Sequence, residues 1–291
     1  TQVLNINPVA DDGYVLETKK GEYTCRYLIV APGRSGAEWF TEQCNRLNMK
    51  LINNQVDIGV RVELPAIVFK EITDAVYEAK LHYRTKQYKD PVRTFCMNPG
   101  GEVSQEHYEG GIAVVNGHSY EDPAKRTGNT NFALLVSTSF TEPFNQPIEY
   151  GRYIAQLGNM LTGGPIMVQR LGDLLKGRRT DASRLRKSTT IPTLSTAVPG
   201  DLSFVLPARH LTSIIEALRA FDHLAPGLYS QNTLLYGVEV KFYSSKVLVN
   251  NTFETAIGGL YAIGDGAGIT RGLMQARSEE HTSELQSLAY L

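Results

Sequence analysis

The sequence predicts a two-domain α/β protein in which one domain is discontinuous and a mixed α+β region is inserted into it. Three observations support this prediction. An apolar strand followed by a glycine turn occurs near the start, at 27–33, and another occurs near the end, at 260–268. Between them, strand-like stretches alternate with turn clusters, which is typical of an insertion with its own sheet. We therefore expect the two ends of the chain to form one domain.

The first part of the chain has the pattern of short strands that lead into a helix. The run at 27–31 is almost continuously apolar, which is typical of a strand buried on both faces. A Pro-Gly pair ends this strand, and Ser35 is a candidate N-cap for a helix over 37–47. The other strands predicted in this part lie at 3–6 and 14–18.

The middle of the chain mixes strand-like and helical stretches. We predict strands at 56–65, 92–97, 110–117, 132–140, 234–242 and 246–251. We predict helices at 147–161, 166–176 and 210–221. The last of these helices carries its apolar residues on one face, so it is expected to pack against the sheet of the insertion.

The composition excludes several classes of protein. Of 291 residues, 42% are hydrophobic and 20% charged, and the net charge of -1 gives no reason to expect nucleic acid or an anionic membrane surface as a partner. No apolar run approaches the roughly 18 residues needed to span a bilayer. Cys25, Cys44 and Cys96 are too far apart for a metal site or a redox dithiol. We expect a small-molecule substrate and a reducing, cytoplasmic compartment.

The strongest chemical signal is the stretch at 255–276, TAIGGLYAIGDGAGITRGLMQA. Its segment LYAI predicts a short buried strand that leads to Asp265, and the glycines around this residue allow a tight turn. Thr270 is a candidate cap for a helix that begins near Arg271. A carboxylate accepts hydrogen bonds from hydroxyl groups, and free N–H groups at a helix start face an anionic or electron-rich group. The stretch therefore predicts a site for a polar ligand.

Three strings resemble the flavin-binding parts of glutathione-reductase-type flavoproteins. GLYAIGDGAG resembles their second FAD contact, in which Asp265 would bind the ribityl and pyrophosphate region and the following helix would point at the isoalloxazine pyrimidine edge. YLIVAPGRSG resembles their mid-chain strand, with Pro32 in place of the usual Thr, and TQVLNI resembles the strand that meets adenine. The resemblance implies FAD as cofactor and these binding residues: Val3, Ala31, Pro32, Gly33, Arg34, Gly264, Asp265, Gly266, Ala267, Gly268, Thr270 and Leu273.

Further strings narrow the resemblance: GVRVELP, VRTFCMNPGGEV, LLYGVEVKFYS and GDGAGITRGLMQA. Together they resemble poorly characterised bacterial FAD-dependent dehydrogenases with a distinctive C-terminal domain. The resemblance implies a Rossmann-like FAD-binding domain at 1–57 and 208–276, and a substrate domain at 58–207. The family's amino-terminal GxGxxG motif is absent, so we expect a truncated domain without its first βαβ unit, poor FAD binding and an inactive fragment.

The end of the chain, 277–291, is expected to lie outside the natural fold. Its string RSEEHTSELQS resembles the in-frame translation of a short-read sequencing adapter. The alternative is an amphipathic terminal helix that carries Glu279, Glu280 and His281 on its surface. In neither case is His281 a catalytic candidate.

The sequence names no certain catalytic residue, but three side chains are candidates. Cys96 is either a buried apolar filler or a nucleophile. Glu239 and Lys241 lie two residues apart in a predicted strand and therefore on one face, where they form either an active-site wall or an ion pair. The basic stretch at 178–187 is either a solvated loop or a site for an anionic substrate or for the phosphate of NAD(P)H, the potential electron donor.

These patterns predict an FAD-dependent oxidoreductase that moves a hydride through flavin N5. Two alternatives stay open. The lack of an indisputable catalytic side chain allows a flavin-binding or degenerate scaffold without catalysis. A large apolar pocket at the flavin would instead favour a reductase of apolar, polyprenyl-like substrates.

Overall fold

The structure is a computed structural model that describes residues 1–9, 13–33, 35–52, 55–144, 146–241, 246–270 and 273–289. The chain forms two compact units: unit 1 is Thr1–Asn54 with Tyr243–Leu291, and unit 2 is Gln55–Phe242. The strands are β1 (Val3–Val9), β2 (Gly13–Thr18), β3 (Gly21–Cys25), β4 (Leu28–Val30), β5 (Leu51–Ile52), β6 (Val56–Pro65), β7 (His82–Arg84), β8 (Pro91–Pro99), β9 (Glu102–Tyr108), β10 (Ile112–His118), β11 (Asn129–Thr138), β12 (Met167–Arg170), β13 (Val198–Pro199), β14 (Leu234–Lys241), β15 (Lys246–Val247) and β16 (Leu260–Ala262). The α-helices are α1 (Ala37–Arg46), α2 (Lys70–Ala75), α3 (Pro147–Thr162), α4 (Leu171–Leu174), α5 (Ala182–Arg186), α6 (Ala208–Phe221) and α7 (Leu273–Ala289).

The described residues of unit 1 form three small sheets. β1, β2 and β3 form an antiparallel sheet in that order, β4 pairs in parallel with β16, and β5 pairs antiparallel with β15. Helix α1 is tied to β1 by its side chains. Trp39 Nε1 donates to the Leu4 carbonyl at 3.0 Å, and Gln43 Oε1 accepts from the Ile6 N–H at 3.0 Å. The core of unit 1 consists of Ile6, Tyr14, Val30, Phe40, Cys44, Met49, Val247, Leu260, Ala262 and Ala267.

Unit 2 is built on a seven-stranded mixed sheet. Its strand order is β13-β12-β14-β6-β11-β8-β7, and neighbouring strands are antiparallel except for β12 and β13. β9 and β10 form a separate antiparallel hairpin. One face of the central strand β6 is apolar and packs in a core that includes residues of α3 and α6. The β6 residues in that core are Val56, Ile58, Val60, Val62 and Leu64.

The other face of β6 is polar although it is equally buried. Asp57, Arg61 and Glu63 are 2%, 0% and 0% exposed. Because alternate residues of a strand point to opposite faces, these three side chains share the face opposite to the apolar core. Charged side chains are almost never fully buried unless they are paired. The side of the sheet that carries these residues, which we call the polar face, therefore has a candidate role in chemistry.

Most predicted elements occur where the sequence places them, including α3, α6 and the central strands. Three of these predictions are wrong. The strand predicted at 246–251 is limited to the two residues of β15. The helix predicted at 166–176 is strand β12 followed by the short helix α4, because β12 pairs with both β13 and β14. Ser35 does not cap α1, since the cap position is Gly36 and no side chain bonds there. Among the described helices, none has the length and apolar character needed to cross a membrane.

The boundary of unit 2 differs from the predicted domain boundary. The prediction assigned 208–242 to the FAD-binding domain, whereas unit 2 extends through 242. β14 pairs with β6 along its length, with Leu234 opposite Glu63 and Lys241 opposite Asp57. Because α6 packs in the core beneath the same sheet, both elements belong to unit 2.

Candidate functional site

The carboxyl ends of two parallel strands meet at one edge of unit 1. In the pair formed by β4 and β16, Val30 stands opposite Ala262. The pairing extends one step further, because the Ile263 N–H donates to the Val30 carbonyl at 3.1 Å. Since the strands are parallel, the segments that follow them, 31–33 and 264–270, leave at the same edge. We call these two segments the glycine edge.

Glycine backbone allows the two segments to touch. A Cβ added at Gly266 would lie 2.0 Å from the Gly33 carbonyl oxygen and 2.7 Å from Pro32 Cγ. Because no side chain tolerates such a distance to backbone, only glycine fits at this position. Gly33 has a φ of 64°, and no atom of the described residues lies within 4 Å of a Cβ added to it. The chain therefore turns there beside open space.

The loop after β16 is held by its own backbone. Gly264 and Gly268 have φ values of 75° and 70°. The Gly268 N–H donates to the Asp265 carbonyl at 3.0 Å, and the Ile269 N–H donates to the Gly264 carbonyl at 3.1 Å. These bonds fix Asp265, which is half-buried, immediately after the strand.

The structure brings together the two sequence segments that were predicted to hold the cofactor. The segment Ala31, Pro32 and Gly33 lies against the loop that carries Asp265. Ala267 belongs to the core of unit 1, so its side chain packs inside the fold. The contact role of these residues stays a prediction, but their proximity is a feature of the structure.

The remaining predicted cofactor residues have different positions. Val3 is the half-buried first residue of β1, in a different sheet. Arg34 and the side chain of Leu273 lie outside the described residues. Thr270 has a hydroxyl group that is shielded from solvent and has no hydrogen-bond partner in the described part of the chain. Because α7 begins at Leu273 and 271–272 are not described, capping by Thr270 stays a prediction.

A carboxylate from α7 contacts the glycine edge. The Gly264 N–H donates to Glu279 Oε2 at 2.8 Å, and Glu279 is 4% exposed. The alternative interpretation of 277–291, a terminal helix, placed Glu279 on the surface. In the structure Glu279 is buried and His281 is exposed. Because Glu279 belongs to 277–291, the stretch that resembles a translated adapter, this contact carries no argument about the ligand of the glycine edge.

The polar face of unit 2 contains a buried cluster of charges around Arg61. Arg61 Nη1 lies 3.2 Å from Glu239 Oε2, and both side chains are fully buried. Arg61 Nε donates to Asn131 Oδ1 at 3.0 Å, and Nη2 donates to the Cys96 carbonyl at 2.8 Å. Lys241 Nζ lies 3.0 Å from Glu239 Oε1. We call Arg61, Cys96, Asn131, Glu239 and Lys241 the polar cluster.

A β-bulge on β14 places Glu239 in this cluster. Two residues, 237 and 238, stand opposite the single residue Val60 of β6. In a regular strand, Tyr236 and Glu239 would point to opposite faces, because they are three residues apart. The extra residue brings both onto the polar face. Glu239 and Lys241 form an ion pair, which was one of the two alternatives for them, and an active-site role stays a prediction.

A second bulge, on β8, places Cys96 beside Arg61. Cys96 and Met97 stand opposite the single residue Phe132, and Cys96 has a φ of 45°. Its carbonyl accepts from Arg61 Nη2 at 2.8 Å and from Asn98 Nδ2 at 2.9 Å. Left-handed backbone is strained for a residue other than glycine, and such strain is concentrated at functional sites. Two bulges that converge on one arginine make the polar cluster a candidate site.

The environment of the Cys96 thiol does not favour a nucleophile. Burial raises its pKa above the usual value, the cations Arg61 and Lys241 oppose this effect, and Glu239 and Glu78 add to it. The thiolate is the nucleophilic form of cysteine, and a raised pKa keeps the thiol protonated at neutral pH. Between the two alternatives for Cys96, the structure therefore favours a packed thiol.

Glu63 is a further buried carboxylate on the polar face. It accepts hydrogen bonds from Asn129 Nδ2 at 2.9 Å, from Thr193 Oγ1 at 2.6 Å and from the Tyr236 hydroxyl. Burial and the neighbouring Glu63 raise the pKa of Tyr236 well above its usual range. Because Thr193 belongs to the segment that follows α5, Glu63 attaches that segment to the sheet.

The basic stretch at 178–187 is partly neutralised. Arg178 Nε lies 2.9 Å from Asp173, and Arg184 Nη1 lies 2.8 Å from Asp181. Arg186 is exposed and has no acidic partner among the residues that the structure describes. It lines a groove of about 310 Å³ beside α5, a volume at the lower end of the range for ligand sites.

Arg61 and Asn131 are functional candidates that sequence reasoning misses. The available signal is the alternation in VDIGVRVELP, where Arg61 takes one of the polar positions that alternate with apolar residues. The alternation does not show that this polar side of the strand is buried. Its partner Glu239 is 178 residues away, so the pairing has no local trace in the sequence. The structure adds both residues to the predicted candidates Cys96, Glu239 and Lys241.

The chain is a mixed α/β protein in which two glycine-containing segments meet at the ends of a pair of parallel strands. Residues 55–242 match the family described as FAD-dependent protein, C-terminal domain-like, and these bounds are those of unit 2. The chain therefore belongs to this family of FAD-dependent proteins, and membership suggests a flavoprotein.

A relative from Clostridium beijerinckii is similar along most of the chain. It is described as an uncharacterized protein and is 30% identical over 272 residues, which cover 87% of this chain and 50% of the relative. The chain thus spans about half the length of the curated relative that it matches. The similarity extends beyond the family match and therefore includes part of unit 1.

Proposed function

We propose that this chain is part of an FAD-dependent oxidoreductase in which the glycine edge of unit 1 binds the flavin nucleotide and the polar cluster of unit 2 recognises the substrate. The contact between Gly33 and Gly266, at the ends of two parallel strands, carries the proposal. Ligands of α/β sheets bind outside the carboxyl ends of the strands. Membership in an FAD-dependent family supports FAD as that ligand.

The residues of the glycine edge suit a flavin nucleotide. The open space beside Gly33 leaves room for a ligand close to the backbone. The shielded Thr270 hydroxyl is an orphaned polar group among the described residues, and a ligand atom would satisfy it. The Asp265 carboxylate follows the strand at the position where it would accept hydrogen bonds from ribityl hydroxyls.

Bound FAD would supply hydride transfer at flavin N5. The chain's own residues would bind and orient the reactants. Asp265 and the loop N–H groups would hold the middle of the nucleotide, and the backbone of Val3 would meet the adenine. In unit 2, Arg61 holds Glu239 in place, and Glu239 in turn holds Lys241 as a charged donor.

The test is an FAD titration, followed by flavin fluorescence, of the protein that the complete gene encodes. We expect one FAD per chain and at least about tenfold weaker binding for Asp265→Ala, because a hydrogen bond to a charged group contributes about 1.5–3 kcal/mol. Asp265→Asn keeps one acceptor and should lose less. Glu22→Ala, which changes an exposed acid in unit 1, should bind like the wild type. Protein that never binds FAD would end the proposal.

We also propose NAD(P)H as electron donor, a small-molecule substrate and a cytoplasmic location. The exposed Arg186 beside its groove supports a phosphate-bearing donor. Anaerobic mixing of the FAD-loaded protein with NADH or NADPH should bleach the flavin band.

Bound flavin that neither cofactor nor any candidate substrate reduces would favour the scaffold alternative. The charged polar cluster gives no support to an apolar, polyprenyl-like substrate.

A further inference from the structure

We infer that the polar cluster binds a carboxylate group of the substrate, with Lys241 as the residue that contacts it and Arg61 as a positioning residue that acts through Glu239. This inference names the substrate class and in that respect rests on the proposed function. It is carried by the balance of charge in the cluster, by its unused hydrogen-bond donors and by the backbone that holds it.

The charges of the cluster leave one cation in excess. Arg61 and Glu239 are fully buried and paired, so their charges cancel. Lys241 is a second cation on the same carboxylate, and its side chain is 14% exposed. Glu78 is close enough to affect the Cys96 thiol, but it is exposed and its carboxylate lies 3.9 Å from the ammonium of Lys80, which balances its charge. A largely buried ammonium without a carboxylate of its own attracts an anion.

Asp57 does not neutralise this excess. It stands opposite Lys241 in the pairing of β6 with β14. Its carboxylate is nevertheless engaged by the guanidinium of Arg93 and by the Ser137 hydroxyl, which donates to Oδ1 at 2.6 Å. Because Arg93 already balances Asp57, this pair leaves the charge of the cluster at one positive. Glu63 is a third carboxylate of the polar face, but its hydrogen bonds go to Asn129, Thr193 and Tyr236, outside the cluster.

The cluster also has more donors than acceptors. An ammonium can donate three hydrogen bonds, and within the described residues Lys241 Nζ has one acceptor, Glu239. Asn131 is fully buried, and its Nδ2 has no partner in the same part of the chain. A ligand that carries negative charge balances the excess cation, and a ligand that only accepts hydrogen bonds uses the free donors. A carboxylate is such a group.

Cys96 provides a reporter inside the cluster. It is half-buried, and the fields of Arg61 and Lys241 both reach its thiol. Iodoacetate and iodoacetamide form the same type of S–C bond and release iodide, but only iodoacetate carries a carboxylate. The ratio of their rate constants at Cys96, divided by the ratio for N-acetylcysteine, measures the local preference for the anion. A change in thiol pKa slows both reagents alike and leaves this ratio unchanged.

The rates are followed by mass spectrometry of the Cys96 peptide. For the wild-type protein at low ionic strength, we expect a normalised ratio of about three or more. It should fall towards one as salt is added, because salt screens the attraction. Lys241→Gln should lower the ratio to about one. Lys125→Gln, which removes an exposed lysine of the same unit, should leave it unchanged. Benzoate should protect Cys96 from iodoacetamide in the wild type and not in Lys241→Gln.

A normalised ratio of one in the wild type at low salt would overturn the inference, as would a ratio that Lys241→Gln leaves high. If Cys96 reacts with neither reagent at neutral pH, where its raised pKa keeps the thiol protonated, the rates are measured at a higher pH. A thiol that stays inert there too would overturn the inference, because the cluster would then admit no small ligand. These rates require neither FAD nor turnover. Failure of the carboxylate site is therefore distinguishable from failure of FAD binding.

Discussion

At the scale of single residues, Arg61 shows how a buried charge is tolerated. Moving an ion out of water costs several kcal/mol, and the protein recovers this cost only when every hydrogen bond of the ion is well placed. Arg61 has a carboxylate, an amide oxygen and a backbone carbonyl as partners. The two bulges place the Glu239 carboxylate and the Cys96 carbonyl beside Arg61. The strained backbone of Cys96 therefore supplies one of the hydrogen bonds that the buried guanidinium needs.

Arg61→Leu should destabilise unit 2 strongly. The substitution leaves Glu239 buried with only Lys241 as a counter-charge, and breaking a buried ion pair on one side costs about 3–5 kcal/mol. The free energy of unfolding in urea measures the effect. The control is Lys70→Gln, which removes an exposed pair with Asp74 and should change stability by less than about 0.5 kcal/mol. Equal, small effects of both substitutions would contradict this role of Arg61.

Gly266→Ala should destabilise the glycine edge. The added methyl group would meet the Gly33 carbonyl at 2.0 Å, so the two segments must move apart, at a cost of about 1–3 kcal/mol. Gly258→Ala is the matched control, because no atom in the described part of the chain lies within 4 Å of its added Cβ. The control should be neutral or slightly stabilising. Urea denaturation of the two variants compares them, and an unaffected Gly266→Ala would show that the contact is not tight.

At the scale of elements, α6 is attached to the sheet of unit 2 by polar contacts as well as by its apolar face. Arg209 donates to the Asp90 carboxylate at 2.6 and 2.9 Å. Thr138, at the end of β11, lies 3.0 Å from His210 Nε2. Burial lowers the pKa of His210 below its ordinary value, Asp90 opposes this effect and Arg209 adds to it. The helix is thus anchored by a histidine that the fold keeps neutral.

The histidine makes the stability of unit 2 dependent on pH. Because the folded state lowers the pKa of His210, the unfolded state takes up the proton first, and stability falls as pH drops below about 6.5. The lowered pKa of Asp90, held by its hydrogen bond to Arg209, contributes a separate loss only below about pH 4. Urea midpoints at pH 8 and pH 5.5 should differ less in His210→Gln than in the wild type. The exposed control His82→Gln should keep the wild-type difference.

The elements were predictable wherever their pattern was local. The alternation in β6 and the apolar face of α6 are visible in the sequence, and both elements are present. The bulges in β8 and β14 were not predictable. An extra residue in one strand can be recognised only when the residues of the paired strand are aligned with it. β12 was predicted as a helix for the same reason, since pairing with distant β14 decided its conformation. Without the bulges, the cluster around Arg61 could not be assembled from sequence.

At the scale of the whole molecule, two compact units divide the proposed functions. The glycine edge joins segments more than two hundred residues apart in sequence, and the pairing of β4 with β16 brings them together. The resemblance of YLIVAPGRSG and GLYAIGDGAG to two parts of one flavin-binding domain predicted that these segments belong together. The boundary at 242 was not predictable, because it depends on which sheet β14 joins.

A crystal structure of the complete protein with FAD tests the central claim most directly. We predict that the nucleotide lies across the carboxyl ends of β4 and β16, with Asp265 in hydrogen-bond contact with the ribityl chain and the backbone of Gly33 against the ligand. FAD bound at another part of the molecule, or an Asp265 side chain directed away from it, would contradict the claim.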